Sequence, residues 1–119
     1  MADLGDVRRI ALALPRAYEA LVRDYVKFRV GRLVFASVSP DETLLGFGYP
    51  REQREALVAS APETFLMPVP SDLRYQWVRL RLDRIGVDEL EELLVDAWRM
   101  CVPKTVAAEH LETGGTGPA

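Results

Sequence analysis

Between Tyr75 and Leu82 the chain alternates without a fault. Gln76, Val78, Leu80 and Leu82 fall on one side of an extended backbone, and Tyr75, Trp77, Arg79 and Arg81 fall on the other. A strand divided this way belongs in an antiparallel sheet packed on one face and bare on the other. The cover follows directly in sequence. From Asp88 to Cys101 the residues Leu90, Leu93, Leu94, Ala97, Trp98 and Cys101 recur at helical spacing, a wide apolar stripe to lay on the apolar side of the strand. Asp88 and Glu91 have the spacing of a capping box at the start of that helix.

The remaining segments repeat the division. Asp3 or Asp6 caps a first helix on which Leu4, Val7, Ile10, Ala11 and Leu14 share a face, and Pro15 limits it. Ala17 to Asp24 has no clean period and reads as an irregular approach. Tyr25 to Val30 alternates again, with Val26, Phe28 and Val30 opposed to Tyr25, Lys27 and Arg29. Gly31-Arg32 is a two-residue connection into a returning strand over Leu33 to Ser39. Pro40-Asp41-Glu42 turns the chain into a third strand, Thr43 to Tyr49. Gly46 and Gly48 leave one side of that strand thin, which allows a close approach or a bulge there, with poor packing the preferred reading. Pro50 opens a second helix carrying Leu57 and Val58, and Pro62 closes it. Glu63 to Met67 is a short fourth strand, and the loop from Pro68 to Asp72 leads into the fifth. Pro103 stops the last helix. The glycine-rich residues 113–119 read as a flexible tail beyond a single domain of residues 1–112.

Several functional classes fall away on composition. A chain of 119 residues holds one domain with one core. No apolar run is long enough to span a bilayer and no charged-then-apolar segment opens the sequence, so the expectation is a cytoplasmic protein without a membrane partner. One cysteine, Cys101, makes no internal disulfide. One histidine, His110, supports neither a catalytic triad nor a multi-histidine metal site. Gly46-Phe47-Gly48 lacks the lysine of a phosphate loop. Asp88, Glu89, Glu91 and Glu92 are accounted for by a helix start and its solvated face. The expectation is therefore a protein that is not an enzyme and uses no cofactor.

An ordered set of motifs carries a resemblance. Ala11-Leu12-Ala13-Leu14-Pro15, Lys27 to Ala36, Trp77 to Leu82, and Ala97-Trp98-Arg99 with Pro103-Lys104 together resemble the MmcQ/YjbR family over roughly residues 4 to 108. The resemblance implies a two-layer α+β fold of order α-β(3)-α-β(2)-α, with an antiparallel five-stranded sheet and helices on one face, which agrees with the elements read above. It also implies a likeness to the double-wing DNA-binding domain of the phage MotA transcription factor, and DNA binding as the function. Relatives carry an aromatic and glycine-containing stretch just before the first strand, where this chain has Leu21-Val22-Arg23-Asp24. The family's sheet order is expected to set the last strand beside the first.

On that order Tyr25, Lys27 and Arg29 lie next to Tyr75, Trp77, Arg79 and Arg81, giving one open surface of four cations and three aromatics. Cations neutralise phosphates and rings stack on exposed bases, so nucleic acid is one expected partner. The net charge of −3 weighs the other way. A bare aromatic face also suits a second copy of the chain or another protein.

Overall fold

The computed structural model describes residues 1–113. The predicted tail lies outside the described residues except for Thr113, which ends the last helix. The first helix, α1 (Leu4–Leu12), starts at a reciprocal box: the Asp3 carboxylate accepts from the Asp6 amide at 3.0 Å, and the Asp6 carboxylate accepts from the Asp3 amide at 3.1 Å. The helix buries Val7, Ile10 and Ala11.

The segment expected to be irregular is a strand. β1 (Ala17–Val22) pairs antiparallel with β2 (Tyr25–Val30) through Arg23 and Asp24, both at positive φ, 51° and 69°. Two successive left-handed residues make the turn whose twist matches a hairpin. The alternation that normally betrays a strand is blurred because β1 is an edge strand: Leu21, on the side that elsewhere faces the core, is 72% exposed. On the same side Glu19 is ion-paired to Arg8 of α1 at 2.8 Å. The Arg8 guanidinium holds the Glu19 carboxyl below its ordinary range. The contribution of this pair to stability is present above the unfolded glutamate pKa and is lost as pH falls through the lower folded value.

β3 (Leu33–Val38), β4 (Leu44–Gly48), β5 (Phe65–Leu66) and β6 (Trp77–Arg81) complete six antiparallel strands in the order β1-β2-β3-β4-β6-β5. The sheet thus has six strands rather than five. Four helices accompany it: α1, α2 (Arg54–Ser60), α3 (Val87–Arg99) and α4 (Lys104–Thr113). α1 and α3 pack on one another and on the sheet. Between the layers Phe28, Phe35, Phe47, Leu45, Val78 and Leu80 from the strands meet Val7, Leu90, Leu94, Ala97 and Trp98 from the helices, all fully buried.

Three local expectations are corrected. The N-cap of α3 is Gly86, whose extended backbone lets its carbonyl accept from the Leu90 amide at 3.0 Å, so Asp88 lies within the first turn and forms no capping box. Pro103 does not end the fold's last helix. It precedes α4, and its carbonyl accepts from the Val106 and Ala107 amides. Lys104 is therefore the first residue of α4. Cys101 sits in the turn between α3 and α4, half-buried and outside the helical stripe.

Trp98 ties these parts together. Its ring is fully buried, its Nε1 donates to the Pro15 carbonyl at 2.8 Å, and it meets His110 of α4 edge-on at 5.1 Å between centroids. One side chain thus fixes α3 to the end of α1 and to α4. Trp98→Phe keeps an aromatic ring but strands the Pro15 carbonyl, and a loss of about 1–3 kcal/mol is expected. Urea unfolding reads it as a lower midpoint at constant slope. An unchanged midpoint would show that this bond contributes nothing.

Candidate ligand groove on the open sheet face

The expected neighbour relation of the first and last strands is wrong in detail: β3 and β4 lie between β2 and β6. The register nevertheless joins them. Lys27 of β2 is opposite Ser37 of β3, Ser37 is opposite Gly46 of β4, and Gly46 is opposite Arg79 of β6. Residues in direct register share a face. A single row therefore crosses the bare side of the sheet with cations at both ends and the two smallest side chains in the middle. It spans three interstrand spacings, about 14 Å.

Small residues in the middle and long ones at the ends make a trough, which encloses about 830 Å³. Val22, Arg23, Tyr25 and Lys27 line it on the hairpin side, and Arg32 from the next turn joins them. Across the floor of Val34, Ser37, Ser39, Leu44 and Gly46 stand Trp77 and Arg79, with Val69, Asp72, Tyr75 and Gln76 of the preceding loop. Gly46 is not a packing defect. A Cβ built there would lie 2.6–2.8 Å from Nε1, Cε2 and Cζ2 of Trp77, so the missing side chain is what admits the indole.

Five of the seven expected site residues line the trough: Tyr25, Lys27, Tyr75, Trp77 and Arg79. The other two do not. Arg29 lies farther along β2 opposite Tyr18 and Val34, with its Nε buried and unpartnered, and Arg81 lies opposite Leu44 outside the lining. The expected alternation also begins later than the sequence indicates, since Tyr75 and Gln76 are exposed loop residues ahead of β6. Arg23 and Arg32 are additions that strand periodicity does not reveal, because both occupy turns.

The cations are not neutralised. The ion pairs Arg8–Glu19, Arg9–Asp6 and Arg99–Asp96 all lie away from the trough. Arg23, Lys27, Arg32 and Arg79 face a single lining carboxylate, Asp72. Arg79 is oriented by the Met67 carbonyl, which accepts from Nε at 3.0 Å and Nη2 at 2.9 Å, leaving Nη1 uncommitted.

The wall carrying Asp72 and Tyr75 is held by a device that sequence reasoning missed. Arg54 of α2 is buried, and its guanidinium donates to the carbonyls of Leu73 at 2.6 Å and Tyr75 at 2.9 Å. Arg51 donates to the intervening Arg74 carbonyl at 2.8 Å. Three successive carbonyls are thereby satisfied by two arginines. Outside the wall, Arg74 lies 4.9 Å from the centre of the Tyr75 ring and donates to its hydroxyl. The available signal was Arg54 itself, which shares a helical face with Leu57 and Val58.

Burial pushes the Cys101 thiol up, away from nucleophilic chemistry. Among the described residues no group of three or more His, Cys, Asp and Glu side chains is placed to hold a metal ion.

Fold and trough together define a two-layer α+β domain with a cationic and aromatic concavity on the bare side of its sheet. The sequence pattern of the YjbR family matches residues 12–100, and the chain belongs to that family. The uncharacterized protein Rv2570 of Mycobacterium tuberculosis (strain ATCC 25618 / H37Rv) is 31% identical, with 97% of this chain and all of that protein aligned. The uncharacterized protein Mb2600 of Mycobacterium bovis shows the same identity and coverage. Among solved structures, that of Deinococcus radiodurans protein DR2400, which carries a DUF419 domain, superposes with a TM-score of 0.75 at 22% identity, covering 92% of this chain and 88% of that one. That likeness extends to the fold.

Gly46→Ala is expected to force the Trp77 indole off β4, at a cost of about 1–3 kcal/mol. Tryptophan emission checks it directly, because Trp98 is fully buried and a shift reports Trp77. Identical spectra and midpoints for the two proteins would mean that the indole is not seated on Gly46.

Proposed function

We propose that this domain is a non-catalytic, cytoplasmic nucleic-acid-binding module and that the trough is its contact surface. The observation that carries the reading is the segregation of charge. The chain as a whole carries −3, yet four cations and one carboxylate line the trough. Helix α3, in contrast, carries Asp88, Glu89, Glu91, Glu92 and Asp96. A polyanion meets attraction on one side of the molecule and repulsion on the other, which orients encounter despite the unfavourable total. Trp77, Tyr25 and Tyr75 add ring surface beside the cations.

The rival reading is a homodimerisation or protein-binding face. It draws on the exposure of Tyr25 and Tyr75, at 42% and 50%. A preference for nucleic acid rests on uncompensated charge of one sign, since two identical basic troughs repel one another.

Replacing both Lys27 and Arg32 by Ala tests the charge directly. Arg32 is exposed and Lys27 half-buried, and neither has an ion-pair partner among the described residues, so thermal stability should change little. Affinity for a labelled oligonucleotide should fall, and the slope of log K against log salt should flatten by about 0.7 to 0.9 for each phosphate that is no longer neutralised. Equal slopes for the wild type and the double variant would remove these residues from the interface. A salt-insensitive dimer in sedimentation, dissolved by Trp77→Asp, would replace the nucleic-acid reading with self-association.

A further inference from the structure

Resting on that reading, we infer that the trough takes an unpaired polynucleotide strand, with a base packed on Trp77, and not a duplex. Proteins that read duplex DNA in its major groove insert a protruding helix or two-stranded ribbon. The surface here is the reverse: its cations stand at the rims and its floor is made of Val34, Ser37, Ser39 and Leu44, with the Trp77 indole over the buried Gly46. Nothing projects from the floor to enter a groove of DNA.

The aromatic placement points the same way. Trp77 is half-buried inside the concavity, seated on Gly46, with Tyr25 and Tyr75 on opposite walls. In a duplex the base faces are spent on one another, so rings recessed in a trough meet only the sugar-phosphate rim. Unpaired bases have free faces, and stacking each on an aromatic ring is worth about 1–3 kcal/mol. The 14 Å row from Lys27 to Arg79, three interstrand spacings of about 4.7 Å, then sets cations on both sides of the base, where the backbone enters and leaves. Asp72, the one carboxylate in the lining, has no ion-pair partner among the described residues and accepts hydrogen bonds only. It suits the amino edge of a base and repels phosphate, which keeps the backbone on the cationic rims.

The test uses the full chain with three probes of one mixed sequence: single-stranded DNA, single-stranded RNA and the corresponding DNA duplex, compared by anisotropy at fixed salt. Either single strand is expected to bind at least about ten-fold more tightly than the duplex, the worth of one well-stacked base. Which of the two binds better identifies the natural strand chemistry. Binding should also quench tryptophan emission. With Trp98 sealed in the core, the quench belongs to Trp77 and should vanish in Trp77→Phe, while Trp98→Phe retains it. A duplex bound as tightly as the strands, or a strand bound without quenching, would overturn this inference and leave nucleic-acid binding standing. No binding of any probe would remove both.

Discussion

At Gly46 the absent side chain leaves room for the Trp77 indole on the bare side of the sheet, and the depth of the trough depends on that seat. With any Cβ at this position the ring would be pushed outward, and the floor between Lys27 and Arg79 would fill. The neighbouring residue in the row is Ser37, so two adjacent strands present almost no bulk to one side while Leu45, Phe47, Ala36 and Val38 are sealed in the core on the other. Close packing under the sheet and thinness above it are thus properties of the same two strands.

The two-sided character of the sheet is readable in the sequence because burial imposes a period of two on strands and 3.6 on helices. Trp77, Val78, Arg79 and Leu80 alternate as expected, and Leu90, Leu94, Ala97 and Trp98 form the buried stripe of α3. What escapes is whatever burial does not select. β1 has few buried side chains to mark it, and its turn uses Arg23 and Asp24 where a glycine would have been conspicuous. Strand order escapes for a different reason: pairing is a long-range choice, and β2 and β6 can share a face with or without being neighbours. Register, not adjacency, decides which side chains share a face, so Lys27 and Arg79 share one under either order, but the trough between them exists only because β3 and β4 intervene. Alternation alone would group Arg29 and Arg81 with it, since a period of two says which face a residue occupies but not how far along it lies.

Two cations, the buried Arg54 and the half-buried Arg79, serve here as framing. Arg54 meets main-chain carbonyls and no carboxylate, and the head of Arg79 is likewise set by the Met67 carbonyl. Carbonyls orient a guanidinium without cancelling its charge. The protein thereby stiffens the wall of a concavity and retains positive potential inside it. An ion pair would have achieved the first and forfeited the second.

The hairpin that begins the sheet ends it on one flank, and among the described residues the outward edge of β1 pairs with no strand. At the opposite flank β5 is two residues long, so it exposes little main chain. The six-residue flank is the larger opening, and Leu21 stands uncovered on it. Such a rim invites templated growth by other chains, and neither proline nor lysine occurs along it to discourage that. Glu19 is the one charged side chain along this strand, and its carboxylate is tied back to Arg8 of α1, so the single charge on the rim belongs to a pair that acid would break.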